Sequence, residues 1–293
     1  MSSNSNIEWT DATWNPVTGC SKVSQGCKFC YAEREWRRIS ANPLAKRYFG
    51  REFTDVQCHY ELLDLPLHWK ISKRIFVNSM SDLFHSKVPN HFIFEVFLTM
   101  WKAKQHTFQI LTKRPDSMFT FMVDVINNPS CKPVIDLPNV WLGTSAEDQQ
   151  TLDERIMWLR ETPAAVRFLS LEPLLDAIWL PDGFEKYIHW VIVGGESGSH
   201  ARPMDPHWVM LLQAQCAEAG VPFFFKQWGE WLPKSQSHDI AITGRERFME
   251  SEDQSEMFIR VGKKTAGRIL NAKEFNELPH SVRENASIHS NTI

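Results

Sequence analysis

From Arg74 to Trp228 the chain repeats one pattern: a short apolar run, a tail of small or polar residues, then a longer mixed stretch. The runs are Arg74–Asn78, Thr107–Leu111, Asn139–Leu142, Val166–Leu169, His189–Val193 and Pro222–Phe225. Runs of this length without polar alternation suit strands buried on both faces, as in a parallel sheet. The stretches between them read as helices. In Asp205–Ala219, Asp205 is placed to cap, Pro206 suits the first turn and Gly220 can end the helix, while Trp208, Leu211, Leu212 and Cys216 follow helical spacing. This alternation predicts an α/β fold with a parallel sheet, open or closed into a partial barrel. Ligands of such folds bind at the carboxyl ends of the strands, where the polar tails lie.

After Trp231 the rhythm stops. Residues 234–256 are polar and read as a loop, and residues 257–278 as a hairpin with a terminal helix. The division expected is a barrel over residues 1–232 and an extension over 233–293. Residues 1–19 and the basic stretch Arg34–Arg51 flank a group of cysteines and are expected to cover the barrel mouth. With 293 residues, 43% of them hydrophobic, one large core is affordable. The net charge of -3 gives no global support for nucleic-acid binding and leaves only a local patch to carry it. No apolar stretch reaches the ~20 residues of a membrane span. The N-terminus lacks the apolar core of a signal peptide, so a cytoplasmic protein with no membrane partner is expected.

The cysteines change the picture. Cys20, Cys27 and Cys30 fall within TGCSKVSQGCKFCYAER, while Cys58, Cys131 and Cys216 are scattered. A C-x-x-C pair with a third thiol six residues upstream, and Gly19 and Gly26 to let the backbone wrap, suits an iron–sulfur cluster. Three thiolates leave one cluster iron without a protein ligand, the vacancy that chemistry at a cluster needs. Two other readings stand beside it: a structural zinc with Cys58 or His59 as fourth ligand, and three ordinary buried cysteines.

Tyr31 directly after Cys30 makes the loop resemble the cluster loop of radical S-adenosylmethionine (SAM) enzymes, although the commonest spacing there is three residues and then two. Over nearly the whole chain, EWTDATWNPVTGC, GCKFCYAER, ILTKRP, WLGTSAED, SLEPLL, VIVGGESG and FFFKQWGEW resemble a phage and mobile-element family of radical-SAM-like proteins. ILTKRP and the general layout are also similar to the spore photoproduct lyases, which act on thymine in DNA.

The resemblance implies a (β/α)6 partial TIM barrel, a 4Fe–4S cluster on Cys20, Cys27 and Cys30, and SAM across the strand ends. It implies a bacterial host cell and an external one-electron reductant such as flavodoxin. Ser79, Ser81 and Asp82 stand where family members receive the SAM amino group, beside Tyr31 of the cluster loop. Lys113 offers a cation for the SAM carboxylate. Thr144, Ser145 and Glu147 suit ribose hydroxyls. Ser170, Glu172 and Arg114 are expected to meet cofactor or substrate. Gly194, Gly195 and Glu196 match a GGE motif that comes too late in the barrel for its usual role; contact with cofactor or substrate is expected, with Arg202 as a supporter or a surface ion pair. Lys226, Gln227 and Trp228 are set to face a planar substrate, unless Trp228 packs under the tail.

The function these residues point to is cleavage of SAM to a 5′-deoxyadenosyl radical that abstracts hydrogen. The substrate expected is a nucleobase or nucleotide in DNA, for instance a hypermodified thymidine undergoing rearrangement. Arg34, Arg37, Arg38, Lys46, Arg47 and Arg51 are candidates for phosphate contacts, against the plainer reading of a solvated helix face. A zinc-stabilised nucleic-acid-binding module without catalysis and a peptide-modifying radical enzyme are the alternatives.

Overall fold

The computed structural model describes residues 5, 7–128, 137–237, 247–251 and 254–279. Cys131 and part of the loop expected over 234–256 lie outside the described residues. The chain opens with strand β1 (Ala12–Trp14) and the short β2 (Val17–Thr18), then the cysteine loop, then helix α1 (Tyr31–Ser40). Strand β3 (Gln57–Cys58) returns to pair with β2, antiparallel.

All six apolar runs become strands: β4 (Arg74–Val77), β5 (Thr107–Thr112), β6 (Val140–Ser145), β7 (Val166–Leu171), β8 (Trp190–Gly194) and β9 (Phe223–Gln227). With β1 on the edge they form one seven-stranded sheet in the order β1-β4-β5-β6-β7-β8-β9. Every neighbouring pair is parallel. The architecture is an α/β partial TIM barrel with one strand more than six.

Helices α2 (Asn90–Lys102), α3 (Pro115–Asn127), α4 (Gln149–Glu161) and α5 (Pro206–Ala219) cover the outer face. As expected, α5 starts on the Asp205 carboxylate, which accepts from the His207 amide at 2.7 Å, and ends on Gly220 at φ +68°. Between β7 and β8, where Pro173, Pro181 and Gly183 interrupt the chain, the described structure has a single 3-10 turn (Phe184–Lys186) in place of a helix.

The two-residue period of the strands divides their side chains. The outward set, among them Ile75, Ile110, Leu142, Leu169, Val191 and Phe225, is buried under the helices. The inward set is aromatic at the bottom: Trp9, Phe76, Trp141, Phe168, Trp190 and Phe224 form one cluster. Trp190 is its hub, with ring centroids 5.7–6.1 Å from those of Trp9, Trp141, Phe168 and Phe224. Gly143 is required here, since a Cβ would sit 2.6 Å from the Phe168 ring. Trp9, Trp141 and Trp190 therefore floor the barrel.

Past β9 come β10 (Trp231–Pro233), β11 (Arg247–Glu250) and β12 (Met257–Arg260), a three-stranded antiparallel sheet ordered β10-β12-β11. The expected hairpin is β11–β12. The expected terminal helix is replaced by the short α6 (Lys263–Ala266) and an extended strap that crosses β9, with Asn276 bridging Phe224. The strap closes the barrel floor: the Trp190 indole N–H donates to the Glu277 carbonyl at 2.8 Å. No helix of the described residues is long and apolar enough to cross a membrane. Trp190→Ala should lower the stability of the fold by about 3–5 kcal/mol in urea denaturation, the usual cost of emptying an aromatic core position; a loss below ~1 kcal/mol would contradict the role given to the floor.

Candidate functional site

Above the aromatic floor, at the carboxyl ends of the strands, lies a cavity of about 380 Å³. It is within the ~300–1,000 Å³ range of small-molecule sites. The same inward positions that are aromatic below become polar here: Ser145 on β6, Ser170 just below Glu172 on β7, and Lys226 on β9. The residues expected to hold cluster, cofactor or substrate line the cavity except Thr144, Glu147, Gly194 and Trp228; Arg202 does not line it, and of the basic stretch only Arg34 does. Cys20, Cys27 and Cys30 face it from one loop. Cys58 and His59 do not: they belong to the β2–β3 ribbon and its flank, where His59 bonds the Thr18 hydroxyl at 2.8 Å.

The loop is held from two sides. Asp82, buried after β4, accepts from the Thr112 hydroxyl (2.8 Å), the amides of Phe84 and Lys113, and Arg114 Nη1 (2.9 Å). Arg114 in turn donates through Nη2 to the Ser21 carbonyl and hydroxyl and lies 3.9 Å from Cys20 Sγ. Asp82 and Arg114 thus spend their polar atoms fastening the loop, where the sequence suggested cofactor and substrate contacts. Ser79 and Ser81 hydroxyls are likewise bonded, to Asn15 Oδ1 and the Val17 carbonyl, and Tyr31 donates to the Ser79 carbonyl at 2.5 Å.

Glu147 is the second anchor and the clearest correction. It is wholly buried (0% exposed), so it reaches no ribose. Its Oε1 accepts from Lys113 Nζ and from the Ser24 hydroxyl (2.8 Å), and its Oε2 from Arg155 (3.1 Å). Burial pushes its acidity toward the protonated form, but Lys113, Arg155 and Ser24 outweigh that and hold the carboxyl below its ordinary range. Gly26 packs on it so closely that a Cβ would lie 2.3 Å from Glu147 Cγ. Thr144 is also withdrawn, its hydroxyl donating to the Thr112 carbonyl across the sheet.

On the far wall Lys226 pairs with Glu172 at 3.1 Å, and the Ser170 hydroxyl donates to Glu172 Oε2 at 2.9 Å. The two glycines before Glu196 have steric reasons: a Cβ on Gly194 would lie 2.5 Å from Glu172 Oε1, and one on Gly195 would lie 2.0 Å from the Trp228 carbonyl. Glu196 receives Arg202 through both oxygens at 2.6–2.9 Å, and Arg202 reaches on to the Gln25 carbonyl, a third tie to the cysteine loop. Trp228 packs on Phe225 and donates to the Ile269 carbonyl, beneath the C-terminal strap and away from any substrate.

Half of the six basic residues are neutralised: Arg38 pairs with Glu35, Arg47 with Glu61, and the mostly buried Arg51 with Asp55.

Sequence reasoning missed Asn78. It sits at φ +63° directly after β4, and its Oδ1 accepts from the Val17 amide while its Nδ2 has no partner. Gln227 Oε1 and Trp9 Nε1 are also buried and unpartnered, and all three residues line the cavity. Orphaned buried polar atoms in a cavity wall call for a ligand or ordered water. An asparagine closing an apolar run was the one available signal.

Burial, with Asp82 adding to it against Arg114, pushes Cys20 up to about 11. Burial also raises Cys30, opposed by the Glu33 and Ala32 amides at the start of α1. Among the described residues no group of three or more His, Cys, Asp or Glu side chains is placed to hold a metal ion. The donor set of three thiols, with no fourth Cys or His among the described residues of the wall, fits a cluster with one open iron better than a four-ligand zinc site.

A parallel half-barrel with a cysteine loop fastened over its strand ends is the class of protein this geometry defines. The chain belongs to the family described as "Protein of unknown function (DUF5131)", whose family model matches residues 4–279. No curated protein matches it. Among solved structures it is similar to a spore photoproduct lyase variant, at 9% identity and a TM-score of 0.44 over 88% of this chain and 70% of that one. A spore photoproduct lyase complexed with dinucleoside spore photoproduct matches at 8% identity and a TM-score of 0.37, over 83% of this chain and 66% of that one. A variant with bound AdoMet and dinucleoside spore photoproduct matches at 9% and 0.39, over 85% and 68%.

Glu147→Gln should loosen the loop. Because the folded carboxyl is more acidic than the unfolded one, its stabilisation is present above the ordinary glutamate value of 4.5 and is lost as the pH falls through the folded value. Thermal melts should put the variant about 3–5 kcal/mol below wild type at neutral pH, with the gap narrowing below that value. A gap unchanged by pH would contradict the ion-pair account.

Proposed function

We propose that the chain is a radical SAM enzyme, with a 4Fe–4S cluster on Cys20, Cys27 and Cys30 and SAM in the strand-end cavity. The observation that carries this reading is the placement of three thiols of one loop on a single cavity above parallel strand ends, with no fourth Cys or His among the described residues lining it. When bound, these cofactors supply a single electron and a 5′-deoxyadenosyl group able to take hydrogen from carbon.

The rest falls to the chain's own side chains. Asn78 Nδ2 and Gln227 Oε1 offer a donor and an acceptor for the carboxylate and ammonium of the amino-acid end of SAM. Ser145, which lines the cavity, would hydrogen-bond a sugar hydroxyl of SAM. Trp9, Phe76 and Leu111 give the cavity an apolar base that keeps water from a reactive carbon. The substrate class we favour is a nucleobase or nucleotide, with DNA as its context. In support, the Glu172–Lys226 pair sets an acceptor beside a donor on one wall, as the edge of a base requires, and the base of the cavity is aromatic. An external one-electron donor is required by this chemistry.

After anaerobic reconstitution with iron and sulfide, the wild type should give 5′-deoxyadenosine from SAM and dithionite, and Cys30→Ala none. Product from Cys30→Ala, or bound zinc with no product from wild type, would overturn the reading. Asn78→Gly, which keeps the positive-φ backbone, should weaken SAM binding about tenfold in calorimetry; unchanged affinity would remove Asn78 from the site.

A further inference from the structure

The wall of the main cavity continues outward into a second, smaller hollow. Phe29, Cys30, Arg34 and Ser197 line both. The outer hollow, about 160 Å³, adds Lys28, Arg37 and His200 among its walls. That volume is well below the ~300 Å³ at which sites for a whole ligand begin. It suits an appendage of a molecule whose body lies in the main cavity.

Charge and shape indicate the appendage. Lys28, Arg34 and Arg37 are exposed cations on the hollow. One acid, Glu33, lines the hollow and is taken by Lys22 at 2.8 Å; Glu35, outside it, is taken by Arg38 at 3.0 Å, with Arg34 Nε no closer to Glu35 than 4.0 Å. Lys28 and Arg37 have no acidic partner among the described residues. Arg34 is fixed in place: its Nη1 donates to the Ser197 carbonyl at 3.0 Å. Gly198, at φ +112°, leaves the room, since a Cβ there would fall 1.9 Å from Arg34 Nη1. Between the cations lies a flat aromatic surface: the Phe29 and His200 rings stack at 5.4 Å and 25°. Lys28 and Arg202 each sit over the Phe29 ring, at 5.3 and 5.4 Å.

Cations alternating with stacked rings are what a single nucleic-acid strand engages, through phosphates and through the face of a base. An acidic carrier protein would need a broad face, on the order of 800 Å² per partner, where this is a narrow recess. We propose that the outer hollow is the phosphate subsite of a nucleotidyl substrate: Lys28, Arg34 and Arg37 hold the phosphodiester next to the reacting nucleotide, and Phe29–His200 carries a neighbouring base. This rests on the nucleotide reading above and makes it specific to an oligonucleotide, since a free nucleoside would leave the hollow empty.

The test uses the full-length protein without added cofactors and a fluorescein-labelled oligothymidylate of about ten nucleotides, a length within the ~4–16 covered by single-strand sites. Anisotropy titrations at several salt concentrations should find binding weakened about tenfold in Lys28→Ala and in Arg37→Glu, with the salt slope reduced by about 1 for each cation removed. Arg38→Glu makes the same charge change on the same helix. Its side chain is 78% exposed, paired with Glu35 and outside the hollow, so it should bind as wild type does. Equal weakening in Arg38→Glu, wild-type binding by the two hollow variants, or no binding by wild type at low salt would each overturn the proposal. The assay needs neither cluster nor SAM. Loss of 5′-deoxyadenosine formation would thus defeat the radical reading alone, and insensitivity of binding to Lys28 and Arg37 the subsite alone.

Discussion

A carboxylate shut away from water governs the site. Glu147, just past β6, cannot stay ionised without compensation, and the compensation comes from three directions: Lys113 just past β5, Arg155 from α4 and Ser24 from the cysteine loop. Because the partners come from different elements, satisfying one buried charge registers all of them. The Asp82–Arg114–Ser21 chain and the Glu196–Arg202–Gln25 chain repeat the device on the loop's other sides. A loop of 11 residues bearing three thiols would otherwise have little reason to hold one shape over an open barrel mouth.

The barrel sets where chemistry can happen. Parallel strands with a two-residue period put alternate side chains inside, and the taper from aromatic floor to polar rim lies within single strands: Phe168 then Ser170 on β7, Phe224 then Lys226 on β9. Filling the bottom with Trp190 and its neighbours leaves only the carboxyl ends open. The C-terminal strap reinforces this by tying Glu277 to Trp190 beneath the floor.

The architecture was legible because runs such as Val166–Leu169 and His189–Val193 carry no polar alternation, which leaves few settings other than a doubly covered sheet. The helix limits at Asp205 and Gly220 were legible because cap chemistry is local. The missing helix after β7 was foreshadowed only by Pro173, Pro181 and Gly183. The site was legible as a set of strand-end residues but not as roles. Nothing in GTSAED says that Glu147 turns inward to cations while Ser145 faces the cavity, because that division depends on which neighbours arrive across the sheet. The pair Gly194–Gly195 reads as a ligand cradle in the sequence; its reason is the close approach of Glu172 and the Trp228 carbonyl. Trp228 took the plainer of its two roles for a similar reason: the strap that covers it is some forty residues away in sequence.

The claim at the centre is that Cys20, Cys27 and Cys30 together ligate a cluster that leaves one iron open to SAM. Electron paramagnetic resonance of the anaerobically reconstituted, dithionite-reduced protein, with and without SAM, tests it most directly. The account predicts a reduced 4Fe–4S signal whose g values shift when SAM is added, and only about half of the signal shifted in Asn78→Gly at a SAM concentration about ten times the wild-type Kd. A cluster signal indifferent to SAM in the wild type, or no cluster signal with one zinc held per chain, would contradict it.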